Sequence, residues 1–127
     1  MSELFHGDLS YKVVGLSMEV HRKLGGGFLE KVYENALRIE LEALGLRVEQ
    51  QAAIKVRYNG QIVGEYFADL LVEGCIIVEI KAVQTLVREH EIQLVNYLAA
   101  TGIDIGLLIN FGSSVQVKRK YREYKKK

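Results

Sequence analysis

One cysteine in 127 residues excludes an intrachain disulfide framework and any cysteine-rich metal knuckle. That residue, Cys75, falls in a predicted strand or its turn, where a structural thiol is expected rather than a nucleophile. The three histidines, His6, His21 and His90, share no spacing, which argues against a zinc site. Met1 to Ser10 contains no apolar core segment, and no apolar run approaches membrane-spanning length. Neither a leader nor a membrane contact is read, and a cytoplasmic location is expected. Charge of one sign is also scarce, with 17 Lys/Arg against 16 Asp/Glu and a net charge of +1. The balance is uneven, however. The last ten residues, "KRKYREYKKK", hold seven Lys/Arg and one Glu, leaving 10 basic and 15 acidic residues in the body of the chain. A basic tail with interleaved tyrosines can contact phosphates; the blander alternative is a frayed, solvated terminus.

An apolar fraction of 49% and a charged fraction of 26% describe an ordinary globular chain, long enough for one domain with a sizeable core. Val13, Val14, Leu16, Val20 and Leu24 recur near helical spacing and predict a helix over about 9–24. Gly25 to Gly27 break it, and a second helix follows over about 29–44, with Val32, Tyr33, Ala36, Leu37, Leu41 and Leu44 apolar and Gly45 as its stop. The glycine run is not a phosphate loop, because it follows a helix and lacks the Gly-Lys-Ser/Thr ending. From Val48 the period changes to two. "AAIKVRY" alternates, Asn59-Gly60 is a strong hairpin signal, and the return strand runs through Glu73-Gly74 into a third strand ending at Lys81. A third helix over about 88–101, with Ile92, Val95, Leu98 and Ala99 as its apolar face, ends at Gly102. "IDIGLLINF" then reads as a buried strand and "SVQVKRKY" as an edge strand. The order is ααβββαββ in one α/β (α+β) domain, 1–127, with a basic tail over 118–127.

The segment "FADLLVEGCIIVEIKA", residues 67–82, carries charge where a core strand should be oily. Asp69 interrupts one strand, and Glu79 and Lys81 interrupt the next; such residues are rarely buried without a partner. An Asp69–Lys81 salt bridge is one explanation, but desolvation makes buried pairs poor stabilisers and Glu79 is left over. Side chains alternate along a strand, so Glu79 and Lys81 share a face. A two-residue turn at Glu73-Gly74 would put Asp69 on the other face. A three-residue loop with Gly74 in the left-handed region would bring all three residues together, and this convergence is the expectation. Two carboxylates and a backbone carbonyl make the hard oxygen site that Mg²⁺ prefers, with a lysine to orient water.

Asp69 followed after a hairpin by Glu79-Ile80-Lys81 resembles the core motif of the PD-(D/E)XK nuclease superfamily, with Ala68 where the eponymous proline often stands. The ααβββαββ order fits that superfamily's αβββαβ core. "GFLEKVY", with Gly27, Glu30 and Tyr33, resembles the signature of its GxxExxY branch, and the likeness runs from Val14 to Lys118 through "HEIQLVNYL" and "GLLINFG". The resemblance implies a restriction-endonuclease-like fold with a central mixed sheet flanked by helices. It also implies a metal-dependent nuclease, acting on nucleic acid and more on DNA than RNA. By this likeness Asp69, Glu79, the Ile80 carbonyl and Glu30 would hold Mg²⁺ or Mn²⁺, and Lys81 would position water. Gln93 and Tyr97, four apart on one helix face, resemble the QxxxY element that lines such sites. Tyr33, Gln93, Tyr97, Arg88, Lys118 and Arg119 are the expected substrate contacts, and His90 a further candidate. A homodimer is suggested because so small a domain would need a partner to surround a duplex. The alternatives are a nucleic-acid- or protein-binding module that keeps the fold without turnover, favoured mildly by the acidic body, and a nucleotide-binding regulator.

Overall fold

A computed structural model describes residues 6–123; the last four residues of the expected basic tail lie outside the described residues. The chain folds as α1 (Gly7–Leu24), α2 (Glu30–Ala43), β1 (Val48–Tyr58), β2 (Gln61–Val72), β3 (Ile76–Lys81), α3 (Arg88–Thr101), β4 (Ile105–Phe111) and β5 (Val115–Tyr121). The five strands lie side by side in the order β1-β2-β3-β4-β5, with β3 and β4 parallel and every other pair antiparallel. This is a mixed sheet with helices on both faces, as in restriction-endonuclease-like folds.

The helices pack by narrower stripes than their composition suggests. On α1 the buried positions are Ser10, Val13, Ser17 and Val20, a 3-4-3 spacing that defines one helix face. Val14 and Leu16 only flank this stripe, and Leu24 is exposed. The Ser17 hydroxyl donates to the Val13 carbonyl at 2.8 Å, so a small polar residue is buried with its donor satisfied. On α2 the buried set is Tyr33, Glu34, Leu37 and Leu41. These helices meet Leu70, Val72, Ile76, Val78, Ile80, Ile105, Leu107, Ile109 and Phe111 from the sheet, the larger apolar core.

The third helix covers the opposite face through Leu94, Tyr97 and Leu98, which meet Ala52, Ile54, Ala68, Ile77 and Leu108. Its predicted apolar face is corrected, since Ile92 and Ala99 are exposed and Leu94 and Tyr97 are buried in their place. Gly106 permits the close approach: a Cβ there would stand 2.7 Å from Leu94 Cδ1. Gly102, at φ 75°, ends α3 with its N–H on the Leu98 carbonyl at 2.9 Å.

Two backbone features set the geometry of the candidate site. The β2–β3 connection is a three-residue loop, with Leu70↔Val78, Leu71↔Ile77 and Val72↔Ile76 in register and both Glu73 (φ 53°) and Gly74 (φ 66°) left-handed. The second lies in β1, where Gln51 has φ 54° in mid-strand, a conformation uncommon for a non-glycine residue. Around it the even-numbered positions change faces. Val48, Leu70 and Val72 pack toward α1 and α2, whereas Ala52, Ile54 and Ala68 pack toward α3. The hairpin thus turns over at Gln51 and Asp69, and its outer half closes over the third helix.

The expected basic tail begins inside the sheet. Residues 118–121 belong to β5, where Lys120 pairs with Glu91 of α3, and Arg122 beyond it donates to Asp104 at 2.8 Å. Pairing with β4 fixes this stretch, so the segment is structural up to that point.

Candidate active site

The register of the β2–β3 loop places Asp69 opposite Glu79, one step beyond the last backbone pair of the ladder. There the carboxylates take over from the backbone. The Asp69 N–H donates to Glu79 Oε2 at 2.8 Å, and the Ile80 N–H donates to Asp69 Oδ2 at 2.7 Å. The strands therefore separate at this point with each N–H satisfied by an acid from the other strand. Lys81 follows two residues after Glu79 on the same face, and its positive charge acts on both carboxylates.

Burial makes this pair electrostatically unusual. Glu79 is 6% exposed, and burial, together with the adjacent Asp69 charge, pushes its pKa up to about 8. Asp69 is also raised, chiefly by burial and by the Glu34 charge, against the opposing effect of the Ile80 N–H. Two carboxylates held together out of water disfavour ionisation unless a cation or a proton sits with them.

The helix acid whose charge acts on the pair is Glu34, which the sequence reading did not single out. Glu30 is exposed in the first turn of α2. One turn further on, Glu34 is 3% exposed and contributes to the field on both Asp69 and Glu79. Four residues advance a helix by about 6 Å along its axis, enough to move an acid from the open helix start to the sheet. Glu34 receives Lys31 Nζ at 3.0 Å, Gln50 Nε2 at 2.6 Å and Gln51 Nε2 at 3.1 Å. Its sequence signal was its place on the stripe with Leu37 and Leu41, a charge at i, i+3, i+7 of an apolar face.

Asn110 is a second residue that sequence reasoning did not identify. It pairs with Lys81 across the parallel β3–β4 ladder and is 1% exposed. Its side chain accepts the Val83 N–H at 2.9 Å and donates to the Val83 carbonyl at 2.8 Å. This two-point clamp fixes the chain immediately after Lys81.

Tyr97 is 6% exposed, and burial with the neighbouring Glu79 charge pushes its hydroxyl up to about 12, so it stays protonated. Its ring meets the half-exposed ring of Tyr66 at 5.6 Å. Both line an open groove of about 880 Å³, together with Lys55, Arg57, Gln93 and Asn96. Gln93 is exposed in this groove, one helical turn from Tyr97. Arg88 and Lys118 are exposed near Glu91, on whose carboxylate both act. His90 caps the start of α3, its Nδ1 accepting the Val87 N–H at 3.4 Å.

Two expected substrate contacts are not placed at the site. Tyr33 is fully buried; its hydroxyl donates to the Gly25 carbonyl at 2.7 Å and accepts the Phe28 N–H at 3.2 Å, and its ring stacks on Phe111 at 4.6 Å. It holds the glycine-rich loop to the core. Arg119 alternates with Lys118 on β5 and lies beside Gly7, Tyr11 and Tyr121, on the α1 side of the sheet.

A divalent ion fits this donor chemistry. Among the described residues no three acid, histidine or cysteine side chains gather tightly enough to chelate a metal alone. Mg²⁺, however, is commonly held by one or two carboxylates plus water and substrate phosphate. Asp69 and Glu79 supply that pair, in surroundings that favour its charge compensation.

A family model for the PD-(D/E)XK nuclease superfamily matches residues 7–123. No curated protein sequence matches the chain. Among solved structures, the crystal structure of SSO0001 is similar with a TM-score of 0.61 at 16% identity, covering 75% of this chain and 50% of that one. An alkaline exonuclease from Laribacter hongkongensis is similar with a TM-score of 0.55 at 16% identity, covering 73% of this chain and 56% of that one. The chain thus aligns with about half the length of each.

Proposed function

The chain belongs to the PD-(D/E)XK nuclease superfamily, and we propose that it hydrolyses phosphodiester bonds in nucleic acid, DNA in the first instance, with Mg²⁺ or Mn²⁺. The observation that carries this reading is the opening of the β2–β3 ladder at Asp69 and Glu79, with Lys81 on the same face. Asp69, Glu79 and the Ile80 carbonyl would hold the ion, with Glu34 behind them rather than Glu30. A divalent ion bound there supplies charge neutralisation at the phosphate and a more acidic water.

The protein's own groups do the rest. The Lys81 ammonium donates to the attacking water and to the phosphoryl oxygens as negative charge develops. Tyr97, protonated across the working range, donates a hydrogen bond to a phosphate oxygen. Lys55 and Arg57 line the groove that Tyr97 shares and take the backbone phosphates. The exposed Tyr66 ring offers a face for an unstacked base. Gly27, at φ 100°, with Glu30 and Tyr33 supports assignment to the GxxExxY branch. Among the described residues no helix is long and apolar enough to cross a membrane; a cytoplasmic location and pairing of two copies around a duplex complete the proposal.

The test is cleavage of supercoiled plasmid and of a labelled single strand in millimolar Mn²⁺. The native protein is expected to cut at least one of them and Lys81→Ala neither, with equal metal uptake. Cleavage by neither protein would favour the binding module. That second reading is supported by the acidic body of the chain, 10 basic against 15 acidic residues before the last ten.

A further inference from the structure

Gln51 is the most conspicuous side chain near the acids that the proposed chemistry does not use. Its Nε2 lies 3.2 Å from Asp69 Oδ1, 3.2 Å from Glu34 Oε1 and 3.1 Å from Glu34 Oε2. One amide nitrogen thus bridges carboxylates from a helix and a strand. Its two N–H groups point to the negative groups that would otherwise repel each other across the gap. The backbone is bent to deliver this contact, since Gln51 sits at φ 54° in mid-strand where the hairpin changes faces. A left-handed conformation at a non-glycine residue costs energy and persists where the surroundings over-determine it. Gln50 adds a parallel donor, its Nε2 reaching Glu34 at 2.6 Å and Asn35 Oδ1 at 2.7 Å, but it does not touch Asp69.

We propose that Gln51 is a positioning residue that substitutes for the divalent ion. In the metal-free protein its amide bridges Glu34 and Asp69 and keeps them from repelling, and it withdraws when the ion arrives. This rests on the proposed metal site and adds to it how the empty site is held together. An amide is neutral, so it offsets the repulsion of two carboxylates only in part, whereas a divalent ion offsets it fully. The two compete for Asp69, whose Oδ1 the amide now holds at 3.2 Å and whose carboxylate the ion would take as a ligand. Gln51 is exposed, so its side chain has room to swing away without unpacking the core.

The consequence is opposite to that of an ordinary site residue, because removing Gln51 should improve metal binding. Calorimetric titration of Mn²⁺ into the native chain, Gln51→Gly and Gln51→Ala provides the test, with melting curves in the absence of metal and at saturation. Glycine removes the amide while suiting the left-handed backbone, and alanine removes it without that relief. Both variants are expected to bind Mn²⁺ roughly three- to tenfold more tightly, the equivalent of one exchanged hydrogen bond. Both should melt below the native protein without metal, and for Gln51→Gly saturating Mn²⁺ should close that gap. Unchanged or weaker binding in both variants, or a gap that saturation leaves intact, overturns the proposal and leaves the metal site standing. A native protein that takes up no Mn²⁺ overturns the metal site as well, and is told apart because it needs no variant.

Discussion

On β3, Ile76, Val78 and Ile80 turn toward α1 and α2, while Ile77, Glu79 and Lys81 turn toward α3. The first set joins Leu70, Leu107, Ile109 and Phe111 in a continuous apolar layer. The second starts as core at Ile77 and ends as an acid and a lysine beside Asp69. Alternate residues of one six-residue strand therefore serve different ends. The α1–α2 face supplies most of the burial that stabilises the fold, and that burial carries the cost of holding Glu79 and, at the edge of α2, Glu34 out of water. Glu79 is as buried as its neighbours, yet its environment opposes its charge. The site is thus held by the rest of the molecule rather than contributing to it.

Changing pH should sharpen that contrast most. Glu79 binds its proton more tightly folded (about 8) than its ordinary value of 4.5. Its contribution to stability is therefore fully present below about 4.5 and is lost as pH rises through about 8. At about 1.4 kcal/mol per pKa unit, the span amounts to several kcal/mol. Denaturant titrations of the metal-free protein should show stability falling across this window, and Glu79→Gln should flatten the profile. Metal uptake should release protons at neutral pH, visible as a dependence of the calorimetric heat on buffer ionisation.

Substitutions on the two faces should break the symmetry next. Leu107→Ala, on the α1–α2 face, removes a fully buried side chain and should cost about 2–5 kcal/mol. Asp69→Asn retains an acceptor for the Ile80 N–H while removing charge. It should leave metal-free stability within about 1 kcal/mol or raise it. An Asp69→Asn protein as damaged as Leu107→Ala would mean that the acids are structural.

The smallest effect separates Glu34 from Glu30. Glu34→Gln removes a charge that raises Glu79, so the midpoint of the pH profile should move down. Glu30→Gln should leave it in place and alter stability by no more than about 0.5 kcal/mol, as an exposed position does.

Much of this arrangement is legible in the sequence. The change of period at Val48 and the Asn59-Gly60 turn specify the meander, while the sequence leaves two turns open at Glu73, of which the three-residue loop is the one that seats Asp69 with Glu79. What stayed hidden depends on tertiary placement. Nothing in glutamine announces a left-handed residue, so the exchange of faces at Gln51 could not be read, nor its amide bridge. Glu30 and Glu34 share a helix face, and only the height of α2 over the sheet decides between them. Tyr33 reads equally well as core or contact until Gly25 and Phe28 are seen to satisfy its hydroxyl. Arg119 is separated from Lys118 by strand alternation alone, which the sequence does show.

The most direct test of the central claim, that Asp69 and Glu79 form a cation site, is a melting series with and without millimolar Mg²⁺ or Mn²⁺. An ion at a hundredfold excess over Kd adds about 2.7 kcal/mol to the folded state, which for a domain of this size is roughly 5 °C or more. The native protein and Lys81→Ala should both gain this shift, and Asp69→Ala should lose it. A native protein whose melting temperature ignores both ions would contradict the account.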